Sequence, residues 1–164
     1  MHICIAVVLN FYTGNVKISP VFLNNPGDLS VSCSDSPPLP VMSIKDNCDV
    51  APTLTLTIDT IKGFCLGSFQ VKRSWLATDA CGNDDEYIQR INFSDNTPPQ
   101  FINLPSTLSL SCDNVPQNPT ATATDNCDPN PKITYADVKN PGCAGFYTIS
   151  RTWTAVDLCL NTTN

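Results

Sequence analysis

The chain repeats itself, and that bounds what it can fold into. Residues 20 to 59 match residues 99 to 138 without a gap at an offset of 79, and residues 65 to 83 match 143 to 161 at an offset of 78. Of the first 40 positions 16 are identical, and of the next 19 another 8, where composition alone gives roughly one in fifteen. The fold must therefore be two copies of one unit, with the length difference absorbed by a loop at residues 60 to 64. A unit of this size has a marginal core of its own, so covalent staples are expected. Nine cysteines are available, and eight of them recur as equivalents: Cys33/Cys112, Cys48/Cys127, Cys65/Cys143 and Cys81/Cys159.

So many cysteines suit an oxidising compartment, because a reducing one keeps thiols unpaired unless metals hold them. The CxxC pairs of tetrahedral zinc sites are absent, and His2 is the sole histidine, which leaves imidazole metal sites and His-dependent triads nothing to work with. A secreted or cell-surface protein is expected. The net charge of −6 and the pI near 4.4 repel phosphate backbones and anionic lipid heads, which argues against nucleic-acid partners. No apolar run is long enough for a membrane span, so membrane insertion is not expected.

Strand signals fill each unit. Leu29 and Val31, like Leu108 and Leu110, alternate with serines, and Leu54 to Ile58 alternates with threonines. Phe69, Val71, Trp75 and Ala77 share one parity, as do Tyr147, Ile149, Trp153 and Ala155. Arg73 and Arg151 fall on that apolar parity, which calls for a bulge or for a guanidinium stacked on the neighbouring Trp. The expected fold is all-β: two tandem Ig-like antiparallel β-sandwiches, spanning 18–96 and 97–164, preceded by a segment 1–17. Four cysteines per unit allow three connectivities. Alternating strand directions put the first and third at one end of a unit, which favours Cys33–Cys65, Cys48–Cys81, Cys112–Cys143 and Cys127–Cys159.

The phrases Ala77-Thr78-Asp79-Ala80-Cys81-Gly82-Asn83 and Ala123-Thr124-Asp125-Asn126-Cys127-Asp128, with the linker Asp95-Asn96-Thr97-Pro98-Pro99, resemble the hyaline-repeat-like (HYR-like) Ig modules of secreted and surface proteins. The resemblance covers residues 18 to 164 and implies adhesion or extracellular scaffolding in long tandem arrays, without catalysis. The second unit departs from the pattern in carrying Leu160 where the first has Gly82.

A second departure is larger. After Asn83 the first unit continues through Tyr87, Ile88, Ile91 and Phe93, a closing strand, whereas the second stops at Asn164 and is expected to lack its last strand. A sandwich without that strand exposes core and unpaired backbone, which invites a strand from another chain. Ile3 to Leu9 forms an apolar, β-branched run placed where a preceding unit's closing strand would sit. Ile3, Ile5, Val7, Val8 and Leu9 are the expected donor side chains, with residues 3 to 12 entering the second unit of the next copy. Such a head-to-tail contact propagates into a filament of copies of the chain. Three other readings of the run are a signal-peptide core, an internal strand of the first unit, and the boundary of a longer repeat array. Cys4, the odd cysteine, is expected as a free, packed thiol.

Asp125, Asn126, Asp128 and Asp157 should converge at one end of the second unit, where the Asp95-Asn96 linker enters. Hard oxygens there suit Ca²⁺ at Asp95, Asp125, Asp128 and Asp157, although Asp and Asn at turns also cap backbone amides with no metal. The same reasoning groups Asp46, Asp49 and Asp79. Asn92-Phe93-Ser94 and Asn161-Thr162-Thr163 satisfy the N-glycosylation rule at Asn92 and Asn161. Thr148, Ser150, Thr152 and Thr154 form an outward row that suits O-linked sugar or simply exposed strand. Asp84, Asp85 and Glu86 are adjacent on a turn rather than paired across a cleft, and GxSxG, GxxxxGK[ST] and HExxH are absent, so no enzyme is expected. Two functions remain: a structural subunit of an extracellular filament, or an adhesive module that binds glycans or cell-surface proteins.

Overall fold

A computed structural model describes residues 18–111, 114–116, 120–143 and 145–164. The segment 1–17 with its donor side chains, Cys4 and Cys112 lie outside the described residues. The chain is all-β, and no helix among the described residues is long and apolar enough to cross a membrane. It divides into two compact units. One holds the described residues up to Val31 with Asp35–Lys62 and Gln70–Phe93; the other holds Ser32–Ser34, Gly63–Phe69 and Ser94–Asn164. Two short pieces of the first sequence copy group with the second, each carrying a bridged cysteine.

The first unit contains a two-stranded ladder, β1 (Val21–Phe22) with β3 (Ile44–Lys45), and a four-stranded sheet. That sheet runs in the order β2 (Leu29–Ser32), β6 (Asp84–Ser94), β5 (Phe69–Thr78), β4 (Thr53–Lys62). Period-2 alternation on β5 and β6 places Trp75, Ala77, Ile91 and Phe93 in the core. Tyr87 packs 5.8 Å from Phe22 and 6.0 Å from Trp75, and its hydroxyl donates to the Pro26 carbonyl. Arg73 sits on the apolar parity of β5 and is buried: Nη1 donates to the Pro38 carbonyl at 2.9 Å and to Gln89 Oε1 at 3.3 Å, and Nη2 to the Pro37 carbonyl at 2.9 Å. Two backbone carbonyls and the Gln89 side chain take the Nη1 and Nη2 donors in place of the expected bulge or Trp stack, while Nε is buried without a partner.

In the second unit the counterparts of β1, β3, β4 and β5 recur at the repeat offset, with a register shift between Phe101 and Asn103. β7 (Gln100–Asn103) pairs with β8 (Thr122–Thr124) through Gln100↔Thr124 and Phe101↔Ala123, the counterparts of Val21↔Lys45 and Phe22↔Ile44. β9 (Lys132–Pro141) and β10 (Tyr147–Val156) stand where β4 and β5 stand and pair along ten residues, Tyr147↔Pro141 to Val156↔Lys132. β4 reaching Lys62 and β9 reaching Pro141 keep the offset of 79 through residue 62, so the length difference falls at residues 63 to 64, within the expected loop at 60 to 64.

The counterpart of β6 is only β11 (Thr162–Thr163), paired as Val156↔Thr162 and Ala155↔Thr163. Two consequences follow. Residues 104–111 form no strand, although Leu108 and Leu110 carry the alternation of β2, since β2 takes its hydrogen bonds from β6. Trp153 is only half-buried where its equivalent Trp75 is 3% exposed, with Tyr135 packed 5.3 Å away. Arg151 adapts as well: it makes a bidentate pair with Asp137 at 2.6 and 2.7 Å and lies 4.5 Å over the Tyr135 ring, rather than on Trp153.

Leu160 keeps the turn that Gly82 makes. Leu160 has φ 71° and Gly82 φ 82°, and in each the amide donates to the preceding Asp carbonyl, Leu160 to Asp157 at 3.2 Å and Gly82 to Asp79 at 3.1 Å. A side chain in this left-handed region costs about 1–2 kcal/mol, part of which glycine offsets through its larger unfolded-state entropy. Leu160→Gly is therefore expected to raise stability by about 0.5–1 kcal/mol and Gly82→Leu to lower it. Thermal unfolding of both variants reads the two shifts.

Candidate functional site

The residues that recur most faithfully between the copies are aspartates at turns, and the structure shows why. Asp125 follows β8, and its Oδ1 accepts the backbone amides of Cys127 at 2.9 Å and Asp128 at 2.8 Å. Asp46 does the same for Cys48 at 2.8 Å and Asp49 at 2.7 Å. The short carboxylate closes an Asx turn on its own backbone. At the far end of β10, Asp157 Oδ1 accepts the Asn161 amide and Oδ2 the Asn161 side chain, both at 2.8 Å. Asp79 and Asn83 repeat this arrangement, also at 2.8 Å.

In the second unit the turns converge with the linker aspartate. One carboxylate oxygen from each of Asp95, Asp125 and Asp157 lies within 4.8 Å of the others, and Asp95 and Asp157 are buried. Asp125 Oδ2 is buried without a hydrogen-bond partner. No basic side chain among the described residues pairs with any of these acids. Three hard oxygens without a countercharge are what a divalent cation such as Ca²⁺ takes, with carbonyls and water completing its shell. Asp128, the fourth expected ligand, stands apart: its Oδ1 accepts the Asn130 amide at 2.9 Å and its Oδ2 the Leu158 amide at 3.0 Å. Both of its oxygens cap turns.

Asp46, Asp49 and Asp79 in the first unit form no such group among the described residues. Asp49 is used by the Ala51 and Ala80 amides at 3.0 and 2.8 Å. The position equivalent to Asp95 is Val16 in the sequence, so the first copy lacks the third acid.

Electrostatics separate the two ends. Burial pushes the Asp95 carboxyl above the usual carboxylate range; the Thr97 amide pulls it down, and the negative fields of Asp125, Asp157 and Asp128 push it up again. The Asn83 side chain, followed by the Asn83, Cys81 and Gly82 amides, holds Asp79 below that range against the cost of its desolvation. A raised folded-state value means that Asp95 favours folding when neutral and that this contribution is lost as pH rises through it. For Asp79 the sign is opposite: its contribution is present above the ordinary carboxylate range and is lost as acid protonates it.

The bridges lie against the same residues. Cys33 pairs with Cys127 and Cys65 with Cys159, with Cα–Cα distances of 6.0 and 5.1 Å. Asp95 lies within 4.8 Å of the Cys33 and Cys127 sulfurs, which as disulfide sulfurs are poor metal ligands. Gly67 is buried against them: a Cβ there would stand 2.6 Å from Asp95 Cβ and 3.0 Å from Cys127 Cβ.

These bridges correct the expected pairing. Cys33–Cys65 and Cys127–Cys159 do not form, and Cys48, expected to bond Cys81, is free. Cys143, expected to bond Cys112, is free too. Cys81 is disulfide-bonded, but not to Cys48. Strand direction shows which cysteines of one unit share an end, as Cys33 and Cys65 do, but not which other segment is packed there. Each bridge spans 94 residues, and the first to close restricts the unfolded chain by about 4–5 kcal/mol in the loop-entropy model.

The two glycosylation sequons separate. Asn92 is exposed on β6, its Oδ1 accepting from Gln70 at 2.7 Å. Asn161 is held by the turn instead. Its Nδ2 donates to Asp157 Oδ2 at 2.8 Å and to the Asp95 carbonyl at 3.2 Å, so the nitrogen that would carry sugar is already used. Asp84, Asp85 and Glu86 begin β6 in solvent, and Thr148, Ser150 and Thr152 are exposed along β10.

No family model matches the chain, and no curated protein matches it. Its chemistry is therefore read from its own residues.

Two measurements follow. Calcium at millimolar concentration should raise the melting temperature at neutral pH. Asp95→Asn should raise the calcium-free melting temperature while removing the calcium-dependent gain. Unchanged melting in EGTA and in calcium would remove the cation from this site. Separately, Gly67→Ala should cost about 1–3 kcal/mol in thermal unfolding, because the added methyl has only the backbone-anchored Cβ atoms of Asp95 and Cys127 to push against.

Proposed function

We propose that the chain is a structural module of the extracellular space, related to hyaline-repeat-like Ig modules, that assembles head to tail by accepting a strand from a neighbouring copy into its second unit. One observation carries the reading. β10 is hydrogen-bonded to β9 along all ten residues, but on its other edge only Ala155 and Val156 have a strand partner among the described residues. The counterpart strand β5 has β6 on that edge, and β6 in turn serves β2. A strand laid beside β10 would thus gain two partners at once, β10 and the Leu108–Leu110 segment, whose leucines are exposed. It would also cover Trp153.

Such strand addition draws affinity from backbone hydrogen bonds and specificity from alternating side chains. The run Ile3 to Leu9 has that alternation-tolerant, β-branched character by sequence. Donor and acceptor would occupy opposite ends of the chain, a heterologous contact that does not close on itself, so it grows into fibres. The disulfides support an oxidising compartment, and from it an extracellular or cell-surface location. A cation at Asp95, Asp125 and Asp157 would fix the linker aspartate against the turns of the same unit.

Negative-stain microscopy of the purified chain tests the reading. Uniform fibres are expected from the full chain and none from a variant lacking residues 1 to 12. A full chain that stays monomeric and binds a glycan or surface protein would instead establish the adhesive-module alternative.

A further inference from the structure

Residues 35–43 lie between β2 and β3 and form neither helix nor strand, yet they are held at both ends. Arg73 donates to the Pro37 and Pro38 carbonyls, each at 2.9 Å. Asn24 Nδ2 donates to the Val41 carbonyl at 2.7 Å, Asn24 Oδ1 accepts the Ser43 amide at 2.6 Å, and the Leu23 amide donates to the Ser43 carbonyl at 2.8 Å. Between these anchors the sequence Ser36-Pro37-Pro38-Leu39-Pro40 leaves the backbone little choice. The proline rings fix φ at about −65°, Ser36, Pro37 and Leu39 each precede a proline and are kept extended, and no described peptide bond is cis. Such a segment is a polyproline II ridge, with about three residues per turn.

Burial follows that period. Pro37 and Pro40 are half-buried against the unit, whereas Pro38 is exposed, Leu39 is 52% exposed and Val41 is 86% exposed. The second copy shows which of these the fold requires. At the repeat offset Pro37 and Pro40 recur as Pro116 and Pro119, but Pro38, Leu39 and Val41 are replaced by Gln117, Asn118 and Thr120. The inward prolines are shared, and the outward apolar side chains are peculiar to the first copy. The clamp is peculiar to it as well, because the equivalent Arg151 pairs with Asp137. An apolar ridge that the repeat pattern does not require is thus presented on a backbone fixed by a buried guanidinium.

We infer that Pro38, Leu39 and Val41 form a docking ridge for a partner protein whose groove is lined by aromatic side chains. Aromatic rings lie flat against a polyproline II ridge, which arrives already ordered and so loses little conformational entropy on binding. The net charge of −6 favours a groove with a basic rim. The ridge lies in the first unit and does not depend on strand acceptance by the second.

The probe is a WW domain, a small module with an aromatic groove, chosen from a set of such domains by its binding to a synthetic peptide of residues 34 to 42. Isothermal titration compares that peptide with the full chain. The full chain is expected to bind about tenfold more tightly, since the free peptide must first be ordered. The triple variant P38Q, L39N and V41T, which installs the second copy's residues, should lose binding at an unchanged melting temperature. N24A, which frees the Val41 and Ser43 end of the ridge, should bring the affinity down toward that of the peptide. The inference is overturned if no domain of the set binds the peptide, if the full chain binds no better than the peptide, if the triple variant still binds, or if N24A leaves the affinity unchanged. It is also overturned if sedimentation shows dimers of the full chain that the triple variant loses, because the ridge then meets a second copy instead of an aromatic groove.

Discussion

A strand's backbone donors and acceptors must be matched on both sides or face water, and in this chain one strand carries that obligation for a whole unit. β6 lies between β2 and β5. Its Tyr87 covers Trp75 and reaches Pro26, its Gln89 meets both Arg73 and the Gly27 carbonyl, and the Arg90 amide takes Asp28. Ile91 and Phe93 complete the core. Because so many contacts converge on one element, shortening it is felt well beyond its own length. In the second unit, with only Thr162–Thr163 in its place, the neighbouring segment forms no strand, the central Trp is half-uncovered and the equivalent Arg turns to a surface carboxylate and a Tyr ring. The second unit keeps its register, but among the described residues nothing takes the place of the element that closes the first unit's core.

The turns are built differently. They depend on aspartates that hydrogen-bond their own backbone, so they survive whether or not a strand is present beside them. Asp125 and Asp157 make the same bonds as Asp46 and Asp79 to within a few tenths of an ångström. Local capping of this kind is robust enough that Leu160 is held at positive φ by the turn around it. It also leaves one oxygen of Asp125, and likewise of its counterpart Asp46, buried with nothing to bond, and at Asp125 the carboxylates of Asp95 and Asp157 lie beside it. Proteins seldom leave a buried polar atom unpaired without a reason, and a bound cation would supply one.

Much of this was legible in the sequence, for reasons that differ by feature. The repeat offset carried over directly to strand register, since a period-2 pattern shared by two copies leaves little freedom for slippage. The aspartate group was legible because Asx turns are local and strand direction brings their ends together. Asp128 misled because its type suits a ligand as well as a cap, and only the positions of the Asn130 and Leu158 amides decide between them. Asn161 misled in the same way, a sequon whose amide is claimed by a turn. The disulfides were illegible for a deeper reason: bridging depends on Cα separation, and nothing within one unit's pattern states which segment of the next copy comes within about 6 Å.

The bridge pattern changes how the repeat should be understood. Cross-links confined to one sequence copy would leave its pieces in separate hands. The two described bridges instead tie the segments around Cys33 and Cys65, from the first sequence copy, into the compact unit built mainly from the second, so their stabilisation belongs to that unit as a whole. Cys48 of the first copy is free while its counterpart Cys127 is bridged, and Cys143 of the second is free while its counterpart Cys65 is bridged. The same asymmetry appears in the backbone, where one edge of β10 lacks a full partner, and in the carboxylates, where the first copy lacks the third acid that the linker gives the second. Three unrelated kinds of interaction thus differ between two copies of one sequence pattern, although the turns and the strand register are shared.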